Sequence, residues 1–240
     1  MQNNIKKFTE IINDYNDIVF FGGAGVSTES EIPDFRGTGG LTELKLNYTF
    51  EEILSNDFLF SHTETFYDFY KNYMIYPNAK PNGAHLKLAE MENNGKIISV
   101  ITQNIDGLHQ KAGSKHVHEL HGSVYRNYCI HCKKQFDLEY IISSNGIPQC
   151  DSCGSLVRPD VVLYGEMLNN DVIMNAIEDI RRSKILIVGG TSLNVYPAAG
   201  LIKYFSGDYL ILINKSETSY DQYADLIIRE PIGKFLYNTI

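Results

Sequence analysis

The sequence predicts an α/β fold built on a parallel sheet covered by helices on both faces. Three observations carry that expectation. Four short runs, Ile18–Phe21, Ile97–Thr102, Ile185–Val188 and Tyr209–Ile213, are almost continuously apolar and rich in β-branched or aromatic residues, the pattern of strands buried on both faces. Helical patterns at 5–15, 50–75 and 171–182 lie between or beside them, so strands and helices alternate. Each strand runs into small, polar or glycine-rich sequence, GGAGVSTES, QNIDGLH, GGTSLN and NKS in turn. Open parallel sheets keep their ligand crevice outside the carboxyl ends of the strands.

The totals narrow the class. A chain of 240 residues with 43% hydrophobic and 12% aromatic content supports one substantial core with a small satellite. A net charge of −8 argues against a nucleic-acid surface. No run approaches the length of a membrane span. The opening MQNNIKKFTEIINDYND reads as an amphipathic helix without the apolar centre of a signal peptide, and a cytoplasmic location is expected.

Along the chain, GGAGVS follows the first strand and is expected to open a helix. Its glycines would let the backbone approach a pyrophosphate at the helix start. Thr28 stands where the third glycine of the dinucleotide fingerprint belongs, so a cofactor loop and a tight strand-to-helix turn both fit. Residues 37–84 carry no strand pattern and are rich in Tyr, Phe and Leu, a small helical insertion. After the second strand, Gln103, Asn104, Asp106 and His109 crowd together. Alone they fit a polar turn capped by the aspartate as well as a site. HVHELHG then offers His116, His118 and His121, and spacing does not choose among them.

The sharpest signal is CIHC and CDSC, which set Cys129, Cys132, Cys150 and Cys153 in a C-x₂-C-x₁₇-C-x₂-C pattern. Paired two-residue knuckles suit one tetrahedral zinc held on a ribbon, and four cysteines close the site, so the metal should be structural. The alternative of two disulfides conflicts with a reducing compartment. Lys133 and Lys134 are offset by Asp137, Glu139 and Asp151, so the ribbon has no basic stripe for DNA. His131 reads as solvated.

Taken in order, GAGVSTES-IPDFRG, TQNIDGLH, ELHG, the cysteine knuckles, RPDVVLYGE, GTSLNVYPAA and INK resemble the sirtuins, the NAD-dependent protein lysine deacylases, in their bacterial form. The resemblance spans residues 22–215. It implies a Rossmann-like NAD-binding domain from 1–36, 85–122 and 158–240, with a small domain of a helical module (37–84) and a zinc ribbon (123–157). It implies one structural zinc, NAD, and acyl-lysine-bearing proteins or peptides as partners.

The resemblance also implies roles. His121 is the general base and Asn104 the amide that orients the ribose. Ile105 and Asp106 form the nicotinamide pocket, Phe35 shields the reacting carbon, and Arg36 and Gln103 hold phosphate and ribose. Ala24, Gly25, Thr28, Thr191, Ser192 and Asn214 line the cofactor, with Lys215 and Pro231 on the adenine side. Val161, Val162, Leu163, Tyr164, Gly165 and Glu166 form the strand that pairs with the substrate backbone. Two positions depart from the family pattern: Gly22 where threonine is usual, and Glu31 where glycine is usual. Both bear on loop geometry and NAD affinity.

The implied products are free lysine, nicotinamide and 2′-O-acyl-ADP-ribose. Protein ADP-ribosyl transfer and a silent NAD- or acyl-lysine-binding module are the rivals; the presence of His121 weighs against the first, and intact Asn104, Asp106 and His121 against the second. Sirtuins that take acidic acyl groups resemble one another in a Tyr-x-x-Arg pair. The corresponding helix here has Tyr67, Tyr70 and Tyr73, with no arginine between Arg36 and Arg126. Lys71 reads as a solvated helix face, so neutral acyl groups are expected to be preferred.

Overall fold

A computed structural model describes residues 2–34 and 47–239; Phe35 and Arg36 lie outside the described residues. Helix α1 (Gln2–Asp14) buries Phe8, Ile11 and Ile12 against one face of the sheet. Strand β1 (Ile18–Gly22) is wholly buried. Its side chains alternate, Ile18 and Phe20 entering the core on one face and Val19 and Phe21 the core on the other, the period of two that a pleated strand imposes.

The expected α-helix after β1 does not form. Two 3-10 turns, Ala24–Val26 and Thr28–Ser30, stand there instead. Gly23 and Gly25 donate their N–H groups sideways, to Gly189 O and Gly190 O at 3.3 and 2.8 Å, so the segment is tied to a neighbouring strand end and not to its own helix ladder. The helical pattern at 50–75 resolves into α2 (Phe50–Ile53), α3 (Asn56–Ser61) and α4 (Thr63–Tyr73). Thr49 caps the first through a capping box with Glu52, and Ser55 caps the second, each satisfying amides that a helix start leaves free.

Next come α5 (Gly83–Asn93), β2 (Ile97–Thr102), α6 (Leu108–Ala112) and β3 (Val117–Glu119). The cysteine region supplies β4 (Gly122–Cys129), β5 (Gln135–Phe136), α7 (Leu138–Ser143) and β6 (Val157–Val161). The chain closes with α8 (Asn170–Arg182), β7 (Ile185–Gly189), β8 (Tyr209–Ile213), β9 (Leu226–Ile228) and α9 (Ile232–Thr239). Six parallel strands form one sheet in the order β3-β2-β1-β7-β8-β9. The four strands expected from sequence are its inner ones. Both edges are three-residue strands too short to leave a hydrophobic run.

Strands β5-β4-β6 make a separate antiparallel sheet. It shares a core with the helical insertion: Phe50, Leu59, Phe66, Tyr67 and Tyr70 pack with Ile141, Val157 and Cys129. Each fully buried large side chain contributes roughly 1.5–3 kcal/mol. Tyr67 and Tyr70 are thus core residues, and the Tyr67 hydroxyl donates to the Val157 carbonyl.

Lys71 corrects its sequence reading. Its ammonium is not solvated but donates to Ser144 O, Ser144 Oγ and Gly146 O at 2.7, 2.9 and 2.8 Å, latching α4 to the ribbon. Among the described residues no helix is long and apolar enough to cross a membrane.

Candidate active site

The strand order reverses between β1 and β7, where chain progress switches from one side of the sheet to the other. Such switch points open a crevice at the carboxyl ends of the strands. The loops leaving β1 and β7 meet glycine against glycine. A Cβ on Gly25 would lie 2.9 Å from Gly190 Cα, and Gly190 itself has φ +59. Only residues without side chains bring these two loops so close.

From the neighbouring strand end comes the polar cluster. Asn104 is 9% exposed, and its Nδ2 donates to Ser27 Oγ at 3.0 Å. Ser27 Oγ in turn donates to Asp106 Oδ2 at 2.6 Å, while Asp106 Oδ1 accepts from Leu108 N and caps the turn. The aspartate therefore serves both of the readings that its spacing left open. Ser27 lay inside the glycine-rich motif, yet nothing in one dimension shows that its hydroxyl joins an amide to a carboxylate 79 residues away.

His121 follows β3. Its Nδ1–H donates to the Gln103 carbonyl at 2.9 Å, which fixes the tautomer and leaves Nε2 as the basic nitrogen. Burial pushes its pKa down, against the opposing pull of the Gln103 carbonyl, so the ring is neutral at physiological pH. The fold then separates the three histidines. His116 pairs with Glu92 and His118 with Asp179, each at 2.7 Å, and only His121 faces the cluster. Gly122 has φ +77, and a Cβ there would stand 1.9 Å from Asp160 O; the histidine–glycine pair is a steric requirement of the turn from β3 into the ribbon.

Gln103 Nε2 donates to Thr191 Oγ1 at 3.0 Å, joining this cluster to the β7 loop. Thr191 N donates to Asn214 Oδ1 and Asn214 Nδ2 returns a bond to Thr191 O, at 3.0 and 2.9 Å. Thr28 Oγ1 is held on Gly25 O. Ala24 and Thr28 are half-buried and Ser192 is exposed. Lys215 is exposed after β8, and Pro231 opens α9 with its carbonyl accepting from Phe235 N; neither side chain is drawn into the cluster.

Of the two departures, Glu31 adopts φ +63, a left-handed conformation that glycine takes without cost. At Gly22 a Cβ would meet the Phe20 ring at 2.7 Å, so the missing side chain makes room for the aromatic one. Beneath the site, His85 and His109 are buried with ring centroids 4.7 Å apart. His85 Nε2 and both ring nitrogens of His109 have no hydrogen-bond partner among the described residues.

The segment Val161–Glu166 begins at the end of β6. Val161 and Leu163 are buried, Tyr164 and Gly165 exposed. Tyr164 bridges in parallel to Ser55, and Val162 N donates to the His121 carbonyl at 3.0 Å, so the segment runs directly past the catalytic candidate. Arg158 changes the argument about the acyl pocket. It lies close enough to Tyr67 and Tyr70 to oppose the upward push of burial on their phenols. A cation therefore stands near the tyrosines after all, delivered by β6 and not by the local chain. Glu166 engages it at 2.6 Å.

The four cysteines are brought together. Their Sγ atoms all lie within 4.8 Å of one another, with Cys129–Cys153 and Cys132–Cys150 separations of 3.5 and 3.6 Å. Sulfurs bound tetrahedrally to zinc stand about 3.8 Å apart, so the donor set fits one structural zinc ion. His131 is exposed and outside it.

The Sir2 family model matches residues 23–197. An NAD-dependent protein deacetylase of Clostridium acetobutylicum is 56% identical over 239 residues, covering 98% of each chain. One of Clostridium perfringens is 56% identical over the full length of both. A solved complex of Sir2 with a p53 peptide and NAD⁺ superposes with a TM-score of 0.86 at 43% identity, covering 97% of this chain and 95% of that one. Sir2Tm bound to a propionylated peptide gives 0.85 at 42% identity, with the same coverage. The likeness runs along almost the whole sequence and extends to the fold, and the chain belongs to the Sir2 family.

Proposed function

We propose that this protein removes acetyl and other neutral acyl groups from protein lysines, using NAD and releasing nicotinamide, 2′-O-acyl-ADP-ribose and free lysine. One observation carries the reading: a neutral imidazole, locked through Nδ1 on Gln103 O, stands beside an Asn104–Ser27–Asp106 relay at the switch point of a parallel sheet. Bound NAD supplies the electrophilic ribose carbon and a nicotinamide leaving group.

His121 Nε2 takes the proton of a ribose hydroxyl, which a neutral ring can do at physiological pH. Asn104 orients the ribose without adding charge, and Ser27 holds its amide in place. Asp106 and Ile105 form the nicotinamide pocket. Gln103, Thr191, Ser192 and Asn214 line the ribose and adenine side, and Ala24, Gly25 and Thr28 the phosphates. Phe35, Arg36, Lys215 and Pro231 keep the roles the family resemblance gives them. We divide the chain into a nucleotide-binding domain on the six-stranded sheet and a small domain on β5-β4-β6, whose last strand runs on to Val161, beyond the 157 expected as the ribbon's end.

The acyl-lysine peptide lies along Val161–Glu166. Among the described residues no main-chain hydrogen bond of the loops engages the Val162 carbonyl or the Gly165 N–H, which suits strand addition. Arg158 is engaged by Glu166 and so does not offer a free cation to an acidic acyl group. We place the protein in the cytoplasm, a reducing compartment that keeps the four thiols available to zinc.

The test is incubation with acetyl-peptide and NAD, with products read by mass spectrometry. Nicotinamide, acyl-ADP-ribose and free lysine are expected, and His121→Ala should abolish them while NAD binding survives. ADP-ribose joined covalently to protein, without loss of acetyl, would overturn the reading in favour of ADP-ribosyl transfer. Binding without turnover would mark a silent module.

A further inference from the structure

We infer that Arg158 is a positioning residue for the peptide substrate: with Glu166 it forms a buried clamp that holds Val161–Glu166 as a preformed docking strand. The inference rests on the deacylase reading above and deepens it.

Arg158 opens the RPDVVLYGE motif and touches none of the catalytic cluster. It is 7% exposed, a costly place for a cation unless it is paired and hydrogen-bonded. Four of its five N–H donors are used. Nη1 and Nη2 meet the two oxygens of Glu166 at 2.6 and 3.0 Å, a two-pronged pairing. Nη2 also donates to Val161 O at 3.1 Å, and Nε to Pro159 O at 3.2 Å. The same carboxylate accepts from Leu163 N at 2.9 Å and from Asn56 Nδ2 at 2.7 Å. These bonds hold Glu166 well ionised, below the ordinary carboxylate range.

The opposite edge of the segment is fixed as well. Tyr164 N donates to Leu54 O at 2.9 Å and Asn56 N to Tyr164 O at 3.0 Å. Arg158 thus stands at the centre of a net joining β6, the docking segment and the helical insertion. Charge-assisted, forked bonds are the strongest available for fixing a loop. A peptide that adds itself to an ordered strand does not have to order that strand on binding. Arg158 therefore governs peptide affinity and leaves the chemical step to the cluster around His121.

The experiment is steady-state kinetics with an acetylated peptide and NAD for wild type, Arg158→Lys, Arg158→Gln and Asn56→Ala, alongside peptide titration by fluorescence anisotropy. Arg158→Gln should raise the peptide KM and Kd about tenfold while kcat and the NAD KM stay within about threefold, the signature of lost binding energy. Arg158→Lys should fall between, because an ammonium keeps the charge but cannot fork. Asn56→Ala should raise the peptide KM a few-fold. If Arg158→Gln does not fold, the Lys and Asn56 variants carry the test. An unchanged peptide KM, a fall in kcat alone, or an NAD KM that rises in step would overturn the clamp. A wild type that binds peptide without deacylating it would overturn the deacylase reading, and the titration would still read the clamp.

Discussion

Lowering the pH should unfold this protein through the paired imidazoles beneath the site. His85 and His109 are 0% and 1% exposed, and burial pushes both pKa values down, that of His85 to about 4. An ordinary imidazole titrates near 6.5. A depressed folded pKa means that the unfolded chain binds more protons, so stability is fully present above pH 6.5 and is lost as pH falls towards the folded values. At pH 5, His85 stays neutral when folded and charges when unfolded, which costs about 2 kcal/mol, and His109 adds to the loss in the same direction. That is a large share of the roughly 5–15 kcal/mol that holds a domain together. His121 contributes in the same direction.

His85→Gln isolates the effect. His85 Nδ1 accepts from Asn82 N in the capping box of α5, a position that glutamine fills without titrating. Urea unfolding followed by tyrosine fluorescence, the chain having no tryptophan, gives stability at pH 7.5 and 5. The variant should lose about 2 kcal/mol less than wild type between those values. Zinc ligands protonate alike in both proteins and cancel in the difference. Equal losses would refute the reasoning and show that His85 is not held neutral by the fold.

Freshly purified, reduced protein should hold one zinc per chain by elemental analysis, and Cys129→Ala should lose both metal and solubility, because metal binding and ribbon folding are coupled. Ser27→Ala removes the hydroxyl between Asn104 and Asp106 and should lower kcat by about tenfold, with less effect on the peptide KM; a kcat equal to wild type would remove Ser27 from the site. In competition between acetyl- and succinyl-peptides of one sequence, kcat/KM should favour acetyl by at least about tenfold, since an unpaired buried carboxylate costs several kcal/mol. Preference for succinyl would mean that Arg158 is not occupied by Glu166.

The inner sheet was legible because burial on both faces leaves unbroken apolar runs such as Ile185–Val188, and the zinc site because four thiolates round one ion demand tight spacing. Edges β3 and β9 were not, since three residues carry no periodicity. The turn after β1 was misread because its hydrogen bonds go to Gly189 and Gly190, more than 160 residues onward. Lys71 was misjudged, and Arg158 passed over, for a related reason. Local sequence shows a charge but not the partner that folding brings to it. The resemblance named Asn104 and Asp106, while Ser27 between them became visible only when two strand ends were set side by side.

The shared core of the helical insertion and the ribbon has a consequence for how the molecule comes apart. Leu59, Phe66 and Tyr67 share one buried cluster with Val157 and Ile141, and the Lys71 ammonium donates across to Ser144 and Gly146. The two insertions, separated in sequence by β2 and β3, therefore form one cooperative unit with the metal as its keystone. Removing zinc should release amide-exchange protection in α3 and α4 together with β4 and β6, while β1, β7 and β8 keep theirs. An ion that never meets the substrate would then decide whether the docking segment beside Tyr164 has anything to lean on.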